Sequence, residues 1–286
     1  MDYPRIAILI LAHKNQQQLE KLINHLKTDF SIYVHLDLKS KLQIKNEENV
    51  QAVRRYRVNW GSYSQVLATR ELMTTAGLKN YERYLLISGQ CLPIKSNRDI
   101  LEFFRNDDHS YILGEKLPAS FWDGNGGLDR LSYFYLPGGH PRRGKYFTKY
   151  AIKLAEEMIH IIQDITKCYR KVPDNLYGGT NWFNLTHDAL KTCLDKMYDN
   201  EYMRIFKHVL CVDEIVLQTI LYNSKQSALC ISESLRYTDW GFGMAYPRVL
   251  ILKDLEKIMS SGKLFARKFD ETVDSKIIDK IYEKIK

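Results

Sequence analysis

Arg5–Leu11 reads RIAILIL and runs straight into Ala12, His13, Lys14 and Asn15. A continuous apolar run ending in a polar cluster is the pattern of a parallel strand buried on both faces. Asn15 can cap a following helix, where Leu19, Leu22, Ile23 and Leu26 fall at i, i+3, i+4 and i+7. The alternation continues. Ser31–Leu36 (SIYVHL) and Val53–Val58 predict two more strands, and Ser62–Leu78 predicts a helix. Tyr84–Ile87 (YLLI) reads as a strand, Asp99–Arg105 as a helix and His109–Leu113 as a strand. Strands alternating with helices over the first 115 residues predict an α/β fold, a mostly parallel twisted sheet with helices on both faces.

The rhythm breaks between Gly114 and Lys145, a stretch rich in glycine and proline that also holds Trp122, Arg130 and Tyr133. A stretch of this length without periodicity is the mark of a functional loop. Pro137–Lys153 then carries Arg142, Arg143, Lys145, Lys149 and Lys153 with no acidic residue. Beyond it the pattern predicts a helix over Tyr146–Tyr169 and an aromatic strand following the glycine turn at Gly178 and Gly179. Helices follow over Asp188–Tyr198 and Asp213–Asn223, short strands over Ala228–Ile231 and Arg248–Leu252, and helices over Lys253–Ser260 and Val273–Ile285. No linker or repeat divides the chain, so one domain over residues 1–286 with a divergent second half is expected. Within it residues 1–115 make the regularly alternating half, 116–270 the divergent half, and 271–286 a C-terminal helix.

Composition narrows the function classes. Apolar residues make up 45% and charged residues 27%, which excludes disordered and low-complexity classes. The longest purely apolar run, Ile6–Ala12, is far shorter than the roughly 20 residues of a membrane-spanning helix. Nothing near Met1 reads as a signal peptide, so a soluble, cytosolic protein is expected. The 5 cysteines are scattered without a C-x-x-C pair, which suggests neither a disulfide framework nor a zinc site. No two aspartates stand at i, i+2, so the simplest pattern for a nucleotide-bound cation is absent from the sequence. A net charge of +8 favours anionic partners.

Open parallel sheets bind ligands at the carboxyl ends of their strands, and each early strand of this chain ends in polar residues. The first gives His13, Lys14 and Asn15, the second His35, Asp37 and Lys39, the third Asn59, Trp60 and Ser62, the fourth Ser88, Gln90 and Cys91. In a nucleotide site Asp37 would accept hydrogen bonds from ribose or base, and Trp60 would stack on a ring. Singly, Asp37 would serve as well for a helix cap and Trp60 for packing. Four such ends on one edge carry more weight.

Eight segments resemble one family. ILAHKN (Ile10–Asn15), HLDLKS (His35–Ser40), NWGSYSQVLATRELM (Asn59–Met73) and LLISGQCLPIKS (Leu85–Ser96) are similar, in this order, to the core-2/I-branching N-acetylglucosaminyltransferases and peptide xylosyltransferases of glycosyltransferase family 14. The likeness continues through YGGTNWFNLT (Tyr177–Thr186), CVDEIVLQTILYNS (Cys211–Ser224), LRYTDW (Leu235–Trp240) and SGKLFARKFD (Ser261–Asp270). The resemblance implies a GT-A-like fold and transfer from a UDP-sugar (UDP-GlcNAc or UDP-xylose) with inversion to a β-linkage. It places nucleotide contacts at Leu11, Ala12, His13, Asp37, Leu38, Lys39 and Trp60, and the catalytic carboxylate at Glu214. It places cationic contacts to the diphosphate at Arg248 and Lys268. Where family members often carry Asp, this chain has Cys91, which leaves the donor sugar open.

That assignment suits the chemistry. Inverting transfer needs one general base for the acceptor hydroxyl, and the like charge of Asp213 would raise the proton affinity of Glu214. With no Asp-x-Asp pair, side-chain cations are expected to hold the leaving diphosphate and no metal or other cofactor is expected. Each cation about 4 Å away contributes on the order of 4 kcal/mol at an effective dielectric near 20. Trp122, Arg130, Tyr133 and Trp240 are the acceptor candidates. The eukaryotic relatives carry a membrane anchor, a stem and disulfides, so the chain resembles a bacterial cytosolic relative that builds surface glycan. A glycan or lipid-linked glycan is the expected acceptor, with the basic stretch touching anionic membrane on its inner face. Two other readings stay open on the sequence: a basic nucleic-acid-binding module, although no such motif is present, and a catalytically inactive relative that binds nucleotide-sugar.

Overall fold

The computed structural model describes residues 4–136, 146–241 and 246–286. Its strands, in chain order, are β1 (Ile6–Ala12), β2 (Ser31–Leu36), β3 (Val50–Val53), β4 (Arg83–Ser88), β5 (Cys91–Pro93), β6 (Ser110–Lys116), β7 (Tyr177–Thr186), β8 (Cys230–Ile231), β9 (Arg236–Thr238) and β10 (Phe265–Arg267). Seven of them form one sheet in the order β3-β2-β1-β4-β7-β6-β8. Within it β7 runs antiparallel to β4 and β6, and the other pairings are parallel. The predicted mostly parallel α/β architecture is therefore the observed one.

Alternation of side chains about the pleat explains why β1 reads as an unbroken apolar run. Ile8 and Ile10, with Leu85 and Ile87 of β4, pack against Leu19, Leu22 and Leu26 of the helix Gln16–Leu26 and against Ile277 and Ile281 near the C-terminus. Ala7 and Leu9, with Tyr84 and Leu86, face the opposite layer. There they meet Leu72 of the helix Tyr63–Gly77, Leu190 of the helix His187–Tyr198 and Ile220 of the helix Val216–Tyr222. Both faces of the sheet are thus covered, and its carboxyl edge is where polar side chains collect.

A second, three-stranded sheet (β5-β10-β9) packs beside that edge. Arg236 on β9, only 4% exposed, ties the two sheets by donating to the carbonyls of Leu86 at 2.6 Å and Phe183 at 3.1 Å. The C-terminal segment also closes onto the end of β1. Asp270 accepts from Lys14, from Asn15 Nδ2 at 2.9 Å and from Thr272 Oγ1 at 2.7 Å. Gln18 donates to the carbonyl of Gly89 at 3.0 Å and accepts from the backbone of Glu271 at 3.0 Å.

Several expectations are corrected. Asn15 stands at the helix N-cap with φ 64° and makes no capping bond, because its amide is drawn to Asp270. The third strand is Val50–Val53 and not Val53–Val58. Its register pairs Val53 with His35, so β2 offers almost nothing for later residues to pair with. Arg248–Leu252 is not a strand: Arg248 is held by acidic side chains and the chain enters a 3-10 turn over Leu252–Asp254. A 3-10 turn occupies Lys225–Leu229, which shortens the predicted strand there to β8. The loop after Gly114 begins as the rest of β6 and then makes short helical turns at Asp123–Gly126 and Asp129–Ser132. Arg142, Arg143 and Lys145 lie outside the described residues.

The Asp270 knot has a pH signature. Burial alone would raise its carboxyl, but the hydrogen bonds from Lys14, Thr272 and Asn15 hold it well below the usual carboxylate range. A depressed carboxyl stabilises the fold above the unfolded-state value near 3.9 and loses that contribution as pH falls through the folded-state value. Urea unfolding of the wild type should therefore lose stability between about pH 5 and about pH 2, and Asp270→Asn should flatten that limb by roughly 2 kcal/mol. Equal slopes in the two proteins would show that the knot does not set the acid limb.

Candidate functional site

At the carboxyl edge, the ends of β1 and β2 and the segment before the helix Tyr63–Gly77 lie side by side. The amide of Asp37 donates to the carbonyl of Ala12 at 3.0 Å and that of Leu38 to Tyr56 at 3.1 Å. The side chain of Asp37, 8% exposed, accepts from the backbone of Lys39 at 2.8 Å. Lys39 reaches across to Asn59 Oδ1 at 2.8 Å, one residue from Trp60. Asp37 thus braces a tight turn. Leu11 is half-buried and Ala12 buried, whereas His13 and Trp60 are exposed. Beside this turn opens a hollow of about 760 Å³, lined among others by Leu36, Ser40, Gln43 and Arg54.

Glu214 sits in a 3-10 turn, Val212–Glu214, and the following helix starts only at Val216. The turn is fixed from behind. Val212 and Ile215 are buried in the core, and the amide of Cys211 donates to the carbonyl of Gly61 at 2.8 Å. Gln65 donates to Asp213 Oδ2 at 2.9 Å, and Asn181 on β7 bonds the same carboxyl. Asp213 faces inward at 8% exposure, whereas the Glu214 side chain keeps 25%.

Arg130 Nη1 donates to Glu214 Oε2 at 2.8 Å. The guanidinium lies 3.9 Å from the centroid of Trp122, so indole, guanidinium and carboxylate form one stack. Two glycines make the slot for the indole. A Cβ on Gly127 (φ 89°) would lie 2.2 Å from the Trp122 ring, and one on Gly178 of β7 would lie 2.3 Å from it. Trp122 and Arg130 are therefore brought to Glu214, as two of the acceptor candidates. Burial raises the Glu214 carboxyl, while Arg130 and, less strongly, the charge of Arg267 draw it back down. Burial, and then the charge of Glu214, push Asp213 up. The main cause at Glu214 is thus loss of water and not the like charge of Asp213.

Other expected residues go elsewhere. Tyr133 donates to Asp164 at 2.7 Å and stacks on His160, which makes it a support for the helix Tyr146–Thr166. Arg248 is gripped by Asp239 at 2.8 Å and by both oxygens of Asp254 at 2.7 and 2.8 Å. These two partners raise its already high pKa further. Lys268 lies 5.2 Å from the ring of Tyr246, and its carbonyl accepts from Leu250 at 2.9 Å, so the two cationic segments adjoin. Trp240 is 45% exposed beside Asp239. Cys91 is fully buried, with its thiol 3.3 Å from the Ser88 hydroxyl, and packs in the core. Among the described residues the grouped side chains with metal-ligand geometry are Asp107, Asp108 and His109. They precede β6, at the opposite sheet edge from Glu214, and Asp107 pairs with Arg83 there.

Sequence reasoning missed Gln65, Asn181 and Asp270. Gln65 and Asn181 lie inside the quoted segments without any pattern that marks their contact with Asp213. Arg267, the neighbour of Lys268, packs its guanidinium 4.5 Å from the Trp182 ring.

The model of one family, described as Core-2/I-Branching enzyme, matches residues 6–258. No curated protein matches the chain. Because Arg130 draws the Glu214 carboxyl down, Arg130→Ala should make Glu214 titrate at higher pH. Carbon-13 NMR of glutamate-labelled protein, assigned by Glu214→Gln, reads this directly. An unchanged titration would mean that the ion pair does not set the charge of Glu214.

Proposed function

The chain belongs to the Core-2/I-branching enzyme family, and on that premise we propose a metal-independent inverting transfer from a UDP-sugar with Glu214 as the base. Membership makes the chain a glycosyltransferase of GT-A-like fold with a nucleotide-sugar donor and a glycan acceptor. The observation that carries the finer reading is Glu214 itself. It is a partly exposed carboxylate with a raised pKa, held in one orientation by Arg130. In the transfer, the acceptor oxygen attacks the anomeric carbon, its proton passes to Glu214, and the bond to UDP breaks on the opposite face. Arg130 keeps the base ionised beforehand, and Trp122 holds Arg130 in place while offering an aromatic face to a sugar ring.

The turn Asp37–Lys39, with Leu11, Ala12, His13 and Trp60, is assigned to the nucleoside. Its support is the convergence of these residues on the sheet edge. The departing diphosphate is assigned to Lys268. Arg248 is already paired with Asp239 and Asp254, so a phosphate there would compete with these carboxylates or share the guanidinium with them. The donor is read as UDP-GlcNAc or UDP-xylose, and the acceptor as a surface glycan presented on a lipid carrier at the cytoplasmic face of a membrane. No helix among the described residues is long and apolar enough to cross one.

Glu214→Gln should cut turnover by about 100-fold or more while UDP affinity, read by calorimetry, changes little. Unchanged turnover would remove Glu214 from the chemistry. Chelation by EDTA should leave activity intact, and complete loss restored by magnesium or manganese would replace the side-chain cations with an ion. Lys268→Ala should weaken UDP binding more than uridine binding, and equal losses would argue against a phosphate contact.

A further inference from the structure

The helix Tyr146–Thr166 is turned the wrong way round for a helix on a water-facing surface. Two of its polar residues, Glu156 and Gln163, point inward, whereas Lys153, Glu157 and Asp164 are exposed. Glu156, 3% exposed, accepts from the backbone of Leu136 at 3.1 Å, and Gln163, 8% exposed, accepts from that of Phe134 at 2.9 Å. Its large apolar residues point outward: Tyr150 is 62% exposed, Leu154 46%, Met158 56%, Ile161 56%, Ile162 56% and Ile165 76%. At 100° per residue these six fall within an arc of about 120°, along a helix about 31 Å long. A contiguous apolar stripe of this size is uncommon on a surface left in water.

We propose that this face lies in the interfacial layer of a bilayer rich in anionic lipid, with the helix parallel to the membrane plane. Charge excludes spanning, since Lys149, Lys153, Glu156, Glu157 and Asp164 interrupt the helix and it is no candidate for a crossing. Charge complementarity selects the occupant. The sequence leading into and through the start of the helix, Pro137–Lys153, holds five basic residues and no acidic one; within the helix the exposed Glu157 and Asp164 lie between the stripe and Lys153, which pairs with Glu157 at 3.5 Å. A second copy of this chain would bring the same net charge of +8, which opposes pairing, whereas anionic headgroups attract it. An apolar helix face preceded in the sequence by a basic run is the composition of a segment that lies on a membrane.

The position of the helix gives the contact a purpose. The segment Arg130–Leu136 starts at the Glu214 ion pair and ends on Glu156 and Gln163 of this helix. A helix docked on lipid therefore holds the base beside the surface from which a lipid-linked acceptor is presented, a step that rests on the function proposed above.

Co-sedimentation of the full chain with phosphatidylglycerol-containing vesicles tests the contact without any activity measurement, so it stands or falls separately from the catalytic reading. Binding should be strong to these vesicles and weak to phosphatidylcholine alone. Ile161→Asp combined with Ile165→Asp should lower it on the order of tenfold or more, with circular dichroism and melting unchanged, because both positions are exposed. Lys153→Glu should lower it further. Absence of vesicle binding, or binding indifferent to the paired substitution, would overturn the proposal. So would a wild-type dimer in sedimentation velocity that the same substitutions dissociate and that does not bind vesicles.

Discussion

The ion pair between Arg130 and Glu214, 2.8 Å long, is the contact on which the rest of the site depends. It joins the irregular loop after β6 to the turn that carries the carboxylate, two regions far apart in sequence. A lone carboxylate this crowded by protein would take up a proton, and a fully solvated one would be too weak a base to matter. Burial raises the proton affinity of Glu214 above the ordinary range, and Arg130 draws it part of the way back. Trp122 then fixes Arg130, and the two glycines at 127 and 178 leave the indole its slot.

The fold supplies the second half of the arrangement. Two covered faces leave the carboxyl edge of the main sheet as the place where polar groups can gather. The C-terminal segment crosses that edge and is tied down by Asp270, Gln18 and Gln90. β10, which leads into Lys268, pairs with β5 immediately after the end of β4. Positive charge is thus delivered next to the strand ends by a short sheet of its own, independently of the turn that holds Glu214.

Much of this could be read from the residues, and the exceptions have physical causes. The run Ile6–Ala12 announces a doubly covered strand because both faces need apolar side chains. Val53–Val58 fails as a strand, since β2 ends one residue beyond the partner of Val53 and offers almost nothing more to pair with. Asp213 and Glu214 stand out as an acidic pair, yet only the tertiary structure shows that one faces inward to Gln65 and the other outward to Arg130. Arg130 is readable as a cation in an odd loop but not as the partner of Glu214, because no local pattern records a contact across 84 residues. Arg248 shows the opposite failure: a basic residue in the expected block is taken up by Asp239 and Asp254, whose proximity the sequence does not display. The helix Tyr146–Thr166 is legible from its periodicity, which does not tell which face is covered, and the structure leaves the apolar one exposed.

A single carboxylate base implies a single displacement, and the stereochemistry of the first product reports that most directly. Proton NMR of the newly formed glycoside should show the β-anomer from an α-linked UDP-sugar. An α-linked product would require two successive displacements and a second nucleophile, and would contradict Glu214 acting as the lone general base.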